Sequence, residues 1–271
     1  MTAVTLTPTS IRPVRAGWFT QTGQVLRRWL LSTWRQVWGP VMSLVQPIIW
    51  ILLFGAVFSS LGALPQFGGE GYIDYLVPGI LMMTVLYSGA WAGTGFIDDI
   101  NSGVMDQYLT SPLSRTAIIS GQLAQQLIVN LAQSVVVLGI GWLAGARYPG
   151  GIGGMLVALV VATILATIFC CSSSAVALTA RSQIALISLS QLIVLPATFL
   201  STAMMPADLM PDWVQNVSRW NPMTWAVELG RGGLTGTYPE SDWWQATGLV
   251  VLAGLAFFWA VRSIRAYQRS V

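Results

Sequence analysis

Six apolar stretches between Val41 and Val261, each free of Asp, Glu, Lys and Arg, constrain this chain more than any other feature. They run over about Val41–Leu64, Leu76–Ile97, Ala117–Leu143, Ile152–Ala177, Ile184–Met205 and Trp243–Val261. A helix needs roughly 20 mostly apolar residues to cross about 30 Å of hydrocarbon. The pattern therefore predicts an all-α integral membrane protein with six transmembrane helices. Only 8% of the 271 residues are charged and the mean hydropathy is +0.66, against roughly 25% charged residues in an ordinary soluble domain. No connection between spans is long enough for a separate soluble domain. Clean spans also bear on mechanism, because ion-coupled carriers usually keep an ionisable residue inside the membrane.

Charge placement predicts orientation. Residues 1–40, 98–116, 178–183 and 262–271 hold ten of the thirteen cationic residues, all arginine: Arg12, Arg15, Arg27, Arg28, Arg35, Arg115, Arg181, Arg262, Arg265 and Arg269. Cytoplasmic loops are rich in Lys and Arg, so a plasma-membrane protein with both termini cytoplasmic is expected. The net charge of +3 reads as a topology signal, and no nucleic-acid partner is expected. The chain has no His and no Lys. A Walker A loop needs its Lys to reach the phosphates, and Ser-His-Asp and His-based metal sites are excluded in the same way. No catalytic residue, metal site or cofactor is expected in this chain. Cys170 and Cys171 are adjacent within one span and, with Ser172, Ser173 and Ser174, read as a small-residue patch for helix packing.

The organisation follows from the same pattern. Residues 1–16 are expected to be a disordered lead and 17–39 an interfacial amphipathic helix, with Arg27, Arg28 and Arg35 opposite an arc that holds Trp29, Leu26 and Leu30. Residues 40–265 form the six-helix membrane domain. Within it, 98–116 is a cytoplasmic connection, and 206–242, rich in Pro and Trp, forms short outer-face helices between spans five and six. Residues 266–271 are a cytoplasmic tail. Span three carries Gln122, Gln125, Gln126, Asn130 and Gln133 on one face, and span five carries Gln191, Thr198 and Thr202 on one stripe. Amides facing lipid would lack partners, so these stripes either line a hydrated path or join helices. Gly89-xxx-Gly93 and Gly141-xxx-Gly145 are weak packing signals.

The connection between spans two and three resembles the coupling segment of type-2 ABC export permeases, especially the daunorubicin-resistance branch. Gly103, Asp106 and Pro112-Leu113-Ser114-Arg115 match that pattern, although the loop begins Asp98-Asp99-Ile-Asn where many members have a Glu/Arg-rich run. Tyr75-Leu76-Val77-Pro78-Gly79-Ile80 resembles the family's start of span two. Phe199-Leu200-Ser201 through Pro206, Pro211-Asp212-Trp213, Asn221-Pro222 and Arg231 resemble its fifth span and outer segment. The likeness covers about residues 18–265. It implies a permease that pairs with a second copy or a paralogue and with an ABC-type ATP-binding subunit carrying ATP and Mg, set among membrane lipids. It also implies export of an amphiphilic drug, lipid or lipid-linked molecule. Span five would then lie near the subunit interface, and Gln191, Thr198, Thr202, Gln122, Gln126 and Asn130 are the candidate path residues. An intramembrane lipid-modifying enzyme and a non-transporting scaffold are the alternative classes.

Overall fold

A computed structural model describes residues 17–58, 71–111, 113–237 and 242–269. The expected lead (1–16), the end of the first apolar run (59–64) and Pro112 lie outside the described residues. Those described form helices α1 (Trp18–Arg35), α2 (Trp38–Val57), α3 (Tyr72–Trp91), α4 (Thr94–Asn101), α5 (Val104–Thr110), α6 (Arg115–Leu143), α7 (Gly151–Ala180), α8 (Gln183–Phe199), α9 (Asp212–Ser218), α10 (Pro222–Thr235) and α11 (Asp242–Arg269). A single 3₁₀ turn covers Ala207–Leu209, and no strand occurs among the described residues.

Among the described residues, five helices are long and apolar enough to cross a membrane: α2, α3 continued through α4, α6, α7 and α11. The span expected over Ile184–Met205 is shorter. It stops at Phe199, so α8 has 17 residues and a rise of roughly 25 Å. Its last carbonyls are taken by side chains from later in the chain. Asn221 Nδ2 donates to the Ala197 and Leu200 oxygens at 2.7 and 2.9 Å, and Arg231 donates to the Thr202 oxygen at 3.0 Å. A helix end satisfied from outside needs no further turn.

Helix α7 is the centre and touches α3, α4, α6, α8, α10 and α11. Gly154, Ala158, Ala162, Ala166, Cys170 and Ser174 recur every four residues along it and are all buried. Small residues at that spacing let membrane helices approach closely, where dispersion and backbone contacts replace a hydrophobic drive. Gly89 of α3 packs against this stripe at Ala166 and Cys170, and Gly93, just before α4, packs against Ser173. A Cβ on Gly93 would sit 2.4 Å from the Ser173 oxygen. The Ser173 hydroxyl meanwhile accepts from Gly93 N at 3.0 Å and donates to the Ala90 oxygen at 2.6 Å.

Helix α10 goes deeper than an interface helix. Ten of its 14 residues are buried, against α7, α3 and α11. A Cβ on Gly154 would lie 2.0 Å from the Gly233 oxygen, so the two backbones touch. Arg231 donates to the Tyr75 oxygen at 3.2 Å as well as to Thr202, with its guanidinium 3.6 Å from the Tyr75 ring centroid. The same Thr202 oxygen accepts from the Tyr75 hydroxyl at 2.9 Å. One Arg and one Tyr thus tie α3, the end of α8 and α10 together.

Candidate functional site

The residues singled out for coupling lie at the end of the bundle that carries α1, α4 and α5. Gly103 separates α4 from α5 with φ of +74°, and nothing lies near its Cβ position. The left-handed turn alone calls for glycine there. Ser114 has extended backbone angles and its hydroxyl accepts from Ala117 N at 3.3 Å, capping α6. Its own N–H donates to the Gln21 side chain at 2.8 Å, which fastens α1 to this corner. Met105 is fully buried in a second apolar core with Phe96, Ile118, Leu178 and Ile264. That core fixes one face of α5 and turns Asp106, Gln107 and Thr110 outward. Leu113 is half-buried and Arg115 exposed.

Helix α1 lies along α6. Gly121 admits the Val25 side chain, Gly95 of α4 admits the Trp29 ring, and Gln125 donates to the Thr33 hydroxyl at 2.8 Å. Arg27 and Arg35 are exposed. Arg28 departs from the expected free polar face. It forms a bidentate pair with Asp99, one bond measuring 2.8 Å, and also donates to the Tyr108 hydroxyl. Its guanidinium lies 5.2 Å from both the Trp29 and Tyr108 ring centroids. The Asp99 side chain is 6% exposed and the Arg28 side chain 38%. The hydrogen bond donated to Asp99 raises the Arg28 pKa above its ordinary value, with burial opposing and Tyr108 helping, so the cation is held charged at any physiological pH. Burial in turn raises the Tyr108 pKa and keeps the phenol neutral.

Asp99 and Tyr108 did not stand out in the sequence as partners of Arg28. The pair joins residues 71 apart, and no spacing rule spans that distance. The available signal was weak: one of two adjacent acids sits at the end of an apolar run, where an unpaired charge would be costly.

The amide stripes divide. Gln122 is buried, donates to the Ala92 oxygen at 2.8 Å and accepts from Ser174 at 3.0 Å. Gln126 donates to the Ser88 hydroxyl at 2.8 Å. Both line a cavity of about 790 Å³ between α1, α2, α3 and α6, and Gln191 of α8 reaches the same space. Asn130 and Thr198 are packed inside the protein. Thr202 sits toward the other end, its hydroxyl 3.5 Å from Glu228. Glu228, which the sequence reading passed over, also accepts from Gln245 at 3.0 Å.

The chain is similar in sequence to known membrane permeases. The profile of the ABC-2 type transporter family matches residues 20–235. The daunorubicin resistance ABC transporter permease protein DrrB1 of Streptomyces coeruleorubidus is 28% identical over 228 residues, covering 83% of this chain and 77% of the relative. The putative transport permease ycf38 of Porphyra purpurea is 27% identical, covering 81% and 74%. The probable doxorubicin resistance ABC transporter permease protein DrrC of Mycobacterium tuberculosis is 23% identical, covering 92% and 87%.

Proposed function

The chain belongs to the ABC-2 type transporter family, and from that premise we propose how this membrane permease subunit of an ABC exporter is coupled and what it moves. It works as one of two permease halves, identical or paralogous, in the plasma membrane, spanning six times with both termini cytoplasmic. A separate ATP-binding subunit binds ATP and Mg and hydrolyses the nucleotide. The α1–α4–α5 end is the cytoplasmic face, in keeping with its arginines, and α1 lies in the membrane interface. The substrate is an amphiphilic drug-like molecule, in keeping with the names of the daunorubicin and doxorubicin resistance relatives. Substrate passes between the two halves.

The observation that carries the coupling role is the contrast within one short helix. Met105 and Tyr108 hold α5 to the bundle, while Asp106 and, just beyond, Arg115 face outward with no side-chain partner among the described residues. A helix fixed on one face leaves its polar face free to meet a soluble partner through complementary charges. Asp106→Ala and Arg115→Ala should each leave membrane insertion intact and lower transport at least fivefold in vesicles. Wild-type rates in both would refute the coupling role. A mild-detergent pull-down from the native membrane should recover a stoichiometric ATP-binding subunit, and its reproducible absence from an intact complex would overturn the exporter assembly.

A further inference from the structure

The last helix keeps one face in register from its middle to its end. With about 3.6 residues per turn, Val251, Leu255, Phe258, Arg262, Arg265 and Arg269 of α11 share an arc of about 80°. The three apolar residues are 54%, 60% and 64% exposed, and the three arginines are exposed as well. The opposite arc holds Ala256, Ala260, Ile264 and Tyr267, all buried. An apolar stripe that no neighbouring helix covers meets lipid in a membrane protein. Without leaving that face, the stripe changes from hydrocarbon side chains to guanidinium groups.

Depth gives that change its meaning. Helix α11 has 28 residues, a rise of about 42 Å against about 30 Å of hydrocarbon. Trp243 and Trp244 open it, and tryptophans anchor helix ends at the headgroup level. Counted from them at about 1.5 Å per residue, the hydrocarbon ends near Arg262, with Arg265 about 5 Å and Arg269 about 10 Å farther out. A headgroup layer is roughly 5–7 Å thick. Side chains of a helix lean toward its N-terminus, here back toward the bilayer, so all three guanidinium groups reach that layer. Ile264 and Tyr267 belong to the second apolar core, and the Arg181 guanidinium lies 4.4 Å from the Tyr267 ring centroid, which fixes the outward face. None of the three arginines has an ion pair or a side-chain hydrogen bond among the described residues. The helix dipole accounts for a cation in the last turn, yet Arg262 lies two turns earlier. A topology signal needs only the number of arginines, not their alignment with the lipid-facing stripe.

We propose that Arg262, Arg265 and Arg269 form a docking strip for anionic phospholipid headgroups. A lipid phosphate sits between neighbouring guanidinium groups while its acyl chains lie along Phe258, Leu255 and Val251. Arginine offers a phosphate two parallel N–H donors. A zwitterionic headgroup brings the same phosphate together with an ammonium that the strip repels, so a headgroup of net negative charge is preferred. The inference goes beyond the exporter reading and needs only that α11 crosses a membrane.

The test is native mass spectrometry of the full chain, released from detergent that carries equal amounts of phosphatidylglycerol and phosphatidylcholine with identical acyl chains. The wild type should retain phosphatidylglycerol at least fivefold over phosphatidylcholine. Arg262→Gln, Arg265→Gln and Arg269→Gln together should bring that ratio below two. Arg265→Ala with Ala266→Arg keeps every charge but turns one of them about 100° off the strip. It should at least halve the ratio, and it decides the matter if the triple variant does not insert. Arg147→Gln, exposed beyond the far end of α6, should leave the ratio unchanged. A wild-type ratio near one, an unchanged ratio in the triple or the exchanged variant, or an equal fall in Arg147→Gln would each overturn the strip. An unchanged lipid ratio with loss of a co-purifying ATP-binding subunit from the triple variant would overturn it too, and would assign the arginines to that subunit.

Discussion

Gly79→Val should prevent accumulation of folded protein in the membrane. A Cβ at Gly79 would lie 1.9 Å from the Ala203 oxygen and 2.7 Å from its carbonyl carbon, a backbone-to-backbone collision that no rotamer relieves. The opposing segment cannot retreat cheaply, because the oxygen of Thr202 is held by both Tyr75 and Arg231. Overpacking a well-filled core costs about 1–3 kcal/mol, and this site stands at the upper end, since separating the segments also breaks those two bonds. Gly154→Val should behave alike, its Cβ meeting the Gly233 oxygen of α10. Gly254→Ala is the control: it is exposed on α11 with nothing within 4 Å of its Cβ position, and removing a helical glycine there should be neutral or mildly stabilising. Membrane yield and thermal unfolding followed by size-exclusion chromatography would separate the three. Normal yield of Gly79→Val would mean that α3 and the turn after α8 are not packed as described.

Arg28→Ala should abolish transport while leaving the protein inserted. The substitution strands the Asp99 carboxylate in a nearly buried position beside Tyr108. Losing one partner of a fully buried pair costs about 3–5 kcal/mol, and of an exposed pair about 1 kcal/mol or less. With Arg28 partly exposed, an intermediate cost of about 2 kcal/mol is expected. That is small for a chain of 271 residues but large for the docking of α1 on α4 and α5. The proposed coupling role has these short helices move together, so transport should fall at least tenfold while yield stays near wild type. Asp99→Ala should match it, and the exchanged pair, Arg28→Asp with Asp99→Arg, should recover part of the rate. Full transport in both single variants would remove the pair from the mechanism.

Much of this molecule was legible from residues read in order. Long uncharged runs fix helices in a membrane, because hydrocarbon offers no partner for an open backbone, and α2, α3, α6, α7 and α11 lie where those runs are. Gly103 and Ser114 stood out in the sequence only as matches to a family pattern; the structure makes one the left-handed break between α4 and α5 and the other the cap of α6. The stripe of glutamines on α6 was visible from periodicity, but the helix it met was not. Gln122 turned out to bond α7 through Ser174, while Gln126 faces a cavity.

The sequence by itself determined what most segments are: their helicity, their apolar surroundings and the absence of a nucleotide-binding lysine. Those properties depend on neighbours three or four residues away and on transfer from water, which the chain order contains. Only the tertiary structure decided which charges are paired and where space is left. Arg28 met Asp99, Arg231 met the oxygen that follows α8, and four glutamines of α6 each found a partner outside their own helix. Such outcomes depend on distances between helices remote in sequence, set to tenths of an ångström by glycines such as Gly79 and Gly154, and a linear pattern carries no measure of that separation.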